Sequence, residues 1–266
     1  MVIPSENKKI LTDLGRVHRF SFDRPRFQNP RTNITSYGAA KYILTNQEKY
    51  KVCWEEGLGF LMGDGGRGFM LSGDSPFHAG QRKCMSQLLY KPGWNEAIKK
   101  FYSTIAEKLL SEKSYKLAGR TEVDLVRDVG NLAHTHFVAR MFNLPLKTAD
   151  NPKGILSEQE LYQALSAIFV CIFFDIDPAK SFPLRQAAKQ VTEKLGGAVE
   201  LNVKLATKFG FKGLYTAKHK DDPLSSYGVN MAKGLAKQGL SAYDIAWSQI
   251  LPTAGAMVPN QAQVVS

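Results

Sequence analysis

Apolar residues recur at three- and four-residue steps in segment after segment from Ser36 onward. That period places them on one face of a 3.6-residue helix, and a chain patterned this way has little choice but to bury those faces against one another. Trp94, Ala97, Ile98, Phe101, Ile105 and Leu109 form the clearest stripe and predict an amphipathic helix over 94–110. Further helices are expected over 124–142, ending before Pro145, over 184–207, and over 227–237, ending at Gly239. Start signals support them. Ser36 caps a helix carrying Ala40, Ile43 and Leu44, and Pro76 after Ser75 opens another at the position where its missing N–H is harmless. Ser157 with Glu160 forms a capping box ahead of the apolar stretch 164–176, and Ser241 with Asp244 caps the last helix.

Between the helices, 147–154 reads as a polar loop and Asp221-Asp222-Pro223 as a turn. The first 35 residues are irregular, with Pro25 and Pro30 interrupting short β-like runs at 17–22 and 33–35. Residues 57–74 hold seven of the 22 glycines and read as a flexible connection. A phosphate-cradling loop would need a preceding strand and a Lys-Ser/Thr tail, and has neither. With no repeat and no low-complexity linker, the chain is expected to form one mainly α body with a small β element near the N-terminus.

Forty-four per cent hydrophobic residues, with 15 Phe and 10 Tyr, suffice for a sizeable core and exclude wholesale disorder. The net charge of +11 comes from basic residues scattered through the chain, which suits solvated helix faces. A non-catalytic basic helical module binding a lipid surface or nucleic acid is the alternative that this charge leaves open. Cys53, Cys84 and Cys171 stand far apart without a CxxC pair, as in a reducing compartment. The start, Met1 to Ser5, lacks a basic stretch followed by an apolar one, so no signal peptide is expected. The apolar run 164–176 is too short to span a bilayer. These features predict an intracellular protein without a transmembrane segment.

Two segments carry candidate chemistry. In 74–82, DSPFHAGQR, His78 and Arg82 lie four apart on one helix face, where a guanidinium fork could hold carboxylates; a surface arginine with a packed histidine is the competing explanation. In 250–263, ILPTAGAMVPNQAQ, Pro259 interrupts an apolar helix, and Asn260 and Gln263 follow on one face. A kink frees backbone groups and opens room, so two carboxamides beside it can hold a polar oxygen; a polar helix end accounts for the pattern equally well. His134 and His136 are two apart, so a helix points their rings about 200° apart and they cannot share a metal.

The segments DVGNLAHTHF, CIFFDIDPAKSFPLRQAAK, YGVNMAKGL and above all ILPTAGAMVPNQAQV resemble the C-terminal cytochrome P450-type domain of fungal psi-factor-producing oxygenases, or linoleate diol synthases. The likeness runs from PSENKKILTDLG to the last residue, so residues 1–266 are expected to be an incomplete P450-type helical domain, from its N-terminal region through the long distal helix. The resemblance implies a haem-dependent fatty-acid hydroperoxide isomerase, a diol synthase that converts the linoleate 8-hydroperoxide made by a fused haem dioxygenase domain, which is not in this chain, to a diol. It implies propionate binding by His78 and Arg82, and hydroperoxide contact by Asn260 and Gln263. It further implies a cytoplasmic location, which extends to the periphery of lipid bodies, no nucleic-acid partner, and an oligomeric state left open. An O₂-activating monooxygenase wants an acid–alcohol pair on the distal helix, whereas residues 256–259 here offer neither. A hydroperoxide brings its own O–O bond, so neutral amides suffice. None of the three cysteines has the Phe/Gly-rich setting of the family's haem thiolate, and the fragment is expected to be inactive alone.

Overall fold

The computed structural model describes residues 34–265 except 47, 51, 53, 72–77, 175–181, 209–223 and 225–226, and only the backbone at 78, 182 and 263–265. Among the described residues three short helices come first, α1 (Tyr37–Thr45), α2 (Glu55–Met62) and α3 (Asp64–Arg67), followed by α4 (His78–Leu89) and α5 (Trp94–Lys113). A hairpin, β1 (Tyr115–Leu117) and β2 (Arg120–Glu122), leads into wide π-type turns over Leu125–Gly130 that continue as α6 (Asn131–Phe142). Next come α7 (Glu158–Phe169), extended by π turns over Val170–Phe174, then α8 (Phe182–Lys208) and α9 (Tyr227–Lys237). The chain ends in α10 (Ala242–Asp244), π turns over Ile245–Ile250, and α11 (Leu251–Val265). The structure is mainly helical, as the periodicity predicts. Among the described residues no helix is long and apolar enough to cross a membrane.

Capping sets the boundaries where the sequence signals it. Ser36 Oγ accepts from Ala39 N at the start of α1, and both capping boxes close, Ser157 with Glu160 and Ser241 with Asp244. Asp124 Oδ1 accepts from Val126 N and Arg127 N at 3.1 and 2.8 Å, opening the expected 124–142 helix. Asn143 in the left-handed region ends it. The stripe that defines α1 fares differently: none of its residues is buried, and Leu44 is 78% exposed. The Ser75-Pro76 start and the Asp221-Asp222-Pro223 turn lie outside the described residues.

The last helical run is the axis of the fold. Ile245, Ala246, Leu251, Ala254 and Val258 are fully buried, and α11 packs on α6 and α7. A second, smaller apolar cluster joins α5 to α6 through Ile105, Leu109, Leu132 and Ala133.

Two expectations are corrected. The small β element sits at β1–β2, in mid-chain, with Leu117 opposite Arg120; the run at 17–22 lies outside the described residues, and 34–35 carries no strand. Ala118 and Gly119 both take positive φ, 49° and 79°, which is the two-residue geometry that folds adjacent strands back. Its strands are short and exposed, so no alternating apolar pattern announces them.

In its described part, the glycine-rich stretch is not a flexible connection: 57–62 and 64–67 belong to the helices α2 and α3. Its glycines are contact points. A Cβ at Gly57 would lie 2.8 Å from Cys171 O and Ile172 Cα, and one at Gly65 would lie 2.6 Å from Trp247 Cβ. The indole of Trp247 also lies against Gly196 on α8, stacks beside Tyr243 with ring centroids 6.0 Å apart, and donates from Nε1 to Glu200 Oε2 at 2.9 Å. The neighbouring Gly197 has nothing within 4 Å of a Cβ. Opposite results are therefore expected from adjacent alanine substitutions. Gly197→Ala should stabilise by up to about 1 kcal/mol through helix propensity. Gly196→Ala must displace a tethered indole and should destabilise by about 1–3 kcal/mol. Urea midpoints of the two variants check this.

Candidate functional site

The candidate site is the last helical run, built from its cap upward. Ser241 and Asp244 fix its start, and Ser248 Oγ donates back to Asp244 O at 2.5 Å. Thr253 Oγ1 likewise donates to Gln249 O at 2.5 Å, so the buried hydroxyls of this helix are taken up by its own carbonyls. Gln249, fully buried, donates from Nε2 to Gly68 O at 3.0 Å and Gln81 Oε1 at 2.8 Å, which ties the helix to the stretch after α3 and to α4.

Pro259 lies inside α11 and cannot donate to Gly255 O. One residue on, Asn260 is exposed, and its Nδ2 donates to Ala256 O at 2.8 Å. The turn before it, Ala256 to Pro259, carries no charge, and Ala256 and Met257 are half-buried. Gln263 follows on the same helix at the spacing that shares a face with Asn260, and its side chain lies outside the described residues. This arrangement presents a neutral amide on a largely apolar surface and can donate to, or orient, a polar oxygen.

Arg82 is exposed on α4, a helix that packs against α9. His78 begins α4, and its side chain is not described. No described hydrogen bond or ion pair joins Arg82 to Asn260, so the structure leaves the two sequence-derived pairs on separate elements.

The two histidines of α6 diverge, as helical geometry requires. His136 Nε2 donates to Glu158 Oε1 at 2.6 Å, while Lys113 Nζ holds Glu158 Oε2 at 2.7 Å, joining α5, α6 and α7. His136, then Lys113, draw the Glu158 carboxyl down to about 2 against the opposing effect of burial. Because that value is below the ordinary 4.5, the linked stability is fully present above about pH 4.5 and disappears as the pH falls towards 2. Denaturant midpoints of wild type and Glu158→Gln should therefore differ at pH 6 and draw together only as the pH approaches 2.

His134 turns the other way, towards α11. The Tyr102 hydroxyl lies 2.9 Å from His134 Nδ1 and 3.3 Å from Gln261 Oε1. Sequence reasoning missed Tyr102 and Gln261, the first lying next to the Phe101 of an ordinary helix stripe and the second beside two more conspicuous amides. Among the described residues no group of three His, Cys, Asp or Glu side chains converges as a metal site would require.

Similarity to known proteins gives this geometry a family. The chain is 69% identical over 99% of its length to a bifunctional dioxygenase (DOX)–epoxy alcohol synthase (EAS) of Fusarium oxysporum, covering 21% of that protein. It is 48% identical over its whole length to psi-producing oxygenase A of Aspergillus fumigatus, covering 25% of it. Over 88% of the chain it is 36% identical to a 7,8-linoleate diol synthase of Pyricularia oryzae. No protein-family model matches the sequence, and no solved structure matches the fold. The chain is thus a mainly helical homologue of fungal fatty-acid oxygenases. More particularly, it is homologous throughout to one segment of the psi-producing oxygenases, dioxygenase–epoxy alcohol synthases and linoleate diol synthases, and spans between a fifth and a quarter of their length.

Haem, expected from the sequence, is not stated in the names of these relatives, and the described residues meet only part of what it would need. Exposed Arg82 suits a propionate, and the uncharged 256–260 turn suits a distal wall. An axial sulfur is not among them. Cys84 Sγ donates to Gln238 Oε1, and burial pushes its thiol pKa up. Cys171 is 2% exposed within the main core. Neither thiol fits an iron ligand, so the described residues support no step at the metal.

Proposed function

We propose that this chain forms the distal part of a P450-like hydroperoxide isomerase domain, which rearranges a fatty-acid hydroperoxide made by a dioxygenase domain of the same protein. The carrying observation is Asn260, an exposed carboxamide one residue beyond a proline set inside the helix, on a turn with neither acid nor hydroxyl. Such a surface is poorly suited to proton delivery and well suited to orienting an O–O bond already present. Haem is the expected cofactor, with Arg82 and His78 towards its propionates and its iron ligand from outside the described residues. Asn260 and Gln263 would donate to the peroxide oxygens.

Of the product classes in the relatives' names, an epoxy alcohol is favoured over a diol, because 69% identity accompanies the former and 36% the latter. The rearrangement balances without external electrons. The O–O bond breaks, one oxygen closes an epoxide across a neighbouring double bond, and the other remains as a hydroxyl.

A chimaera of the Fusarium oxysporum relative, with this chain in place of the aligned segment, tests the assignment. Given linoleate, it should form a hydroperoxide and convert it to an epoxy alcohol. A folded chimaera that oxygenates linoleate but only accumulates hydroperoxide overturns the reading; a diol as the main product overturns the product class.

A further inference from the structure

We propose that Tyr102 and His134 are positioning residues, forming a half-buried clamp that holds Gln261 and thereby sets the post-proline turn carrying Asn260 and Gln263. This inference rests on the proposed function for its chemical consequence, but not for the clamp itself.

Pro259 removes a main-chain hydrogen bond at the point where the helix must present its amides, so the turn beyond it needs support from outside the helix. Gln261, two residues past the proline, lies about 100° around the helix from Asn260. Its Oε1 meets the Tyr102 hydroxyl of α5, and that hydroxyl meets His134 Nδ1 of α6. A phenol has one proton to donate. The chain that satisfies all three groups runs from His134 Nδ1–H to the Tyr102 oxygen, and from the Tyr102 hydroxyl to Gln261 Oε1.

Aromatic packing fixes the middle member. The Tyr102 ring stacks on Phe137 with centroids 5.2 Å apart, and meets the His134 ring edge-on at 5.4 Å. Burial keeps the phenol protonated by raising its pKa well above the ordinary range. Burial also lowers the His134 pKa, with the Gln261 main chain opposing, so the imidazole is neutral near pH 7 and has one N–H to give. The free His134 Nε2 and Asn131 Oδ1, one turn apart on α6, are buried acceptors with no partner among the described residues. The clamp is therefore a deliberate polar path through an otherwise apolar interface, where a plain hydrophobic contact would have cost less.

Tyr102→Phe removes the hydroxyl and keeps the ring. Gln261→Leu removes the acceptor on the helix. In the chimaera described above, each should speed amide hydrogen exchange at 260–262 by about tenfold, as expected for losing one half-buried hydrogen bond, with α9 unchanged. The double variant should be no faster than either single one. Conversion of hydroperoxide to epoxy alcohol should fall about tenfold with KM within about twofold, since small misplacements of orienting groups act on turnover.

Unchanged exchange in both single variants overturns the clamp, whatever the activity; if Tyr102→Phe fails to fold, Gln261→Leu alone decides. Faster exchange with unaltered turnover and product overturns the positioning role. An unsubstituted chimaera that makes no epoxy alcohol, while the variants still exchange faster, upholds the clamp and sinks the functional reading instead.

Discussion

Gly57→Val is expected to destabilise the fold by about 3 kcal/mol, the usual cost of forcing bulk into a closed contact. Gly57 belongs to α2 and lies against the π turns that extend α7. A single Cβ there would come within 2.8 Å of Cys171 O and Ile172 Cα, and 3.3 Å of Ile172 O. All three are main-chain atoms, so no rotamer change relieves the clash and the two elements must separate. Separation would unseat Leu58, Leu61 and Met62, which are all buried in the main core. Replacing glycine in a helix interior returns only about 1 kcal/mol of propensity, and less for a β-branched valine. The clash therefore wins. Thermal or urea unfolding checks the effect, and a stability within about 0.5 kcal/mol of wild type would show that α2 does not approach α7 this closely.

Asn260→Leu is expected to lower hydroperoxide isomerisation by about 100-fold or more in the chimaera, the scale for removing one donor aimed at a reacting oxygen. The fold should tolerate the change. Asn260 is exposed, its one described hydrogen bond goes to Ala256 O, and leucine is the better helix former. Loss of turnover with retained stability would separate chemistry from folding, and the accumulated hydroperoxide can be measured directly by chromatography. Gln263→Leu should shift the product distribution in the same assay. Wild-type turnover with unchanged product in both variants would remove the two amides from the proposed mechanism.

Much of the fold was legible because it follows from local rules. The stripe from Trp94 to Leu109 lies within α5, the capping boxes at Ser157 and Ser241 close as written, and 227–237 is a helix over those residues. What escaped was decided between elements. Seven glycines in eighteen residues look like slack, yet Gly57 and Gly65 are small because Cys171 and Trp247 press on them from more than a hundred residues away. The hairpin escaped because Ala118 and Gly119 fix it through backbone conformation rather than apolar pattern. At the site, Pro259 and Asn260 were conspicuous by type and position, whereas Tyr102 and Gln261 gain meaning only from the 3.3 Å between them.

The π turns over Ile245–Ile250 bear on how this helix could have arisen or could be altered. Such turns amount to one residue inserted into an α-helix, and one residue is worth about 100° of rotation around the axis. The extra residue is absorbed where the turns widen, so deleting one residue between 245 and 250 can restore plain α turns and leave the downstream face where it is. Beyond Leu251 there is no such slack: a deletion between 251 and 258 would swing Asn260 by more than a quarter-circle and part Gln261 from Tyr102. A one-residue gap is therefore tolerable in the widened turns and costly in the α turns that lead from them to Pro259.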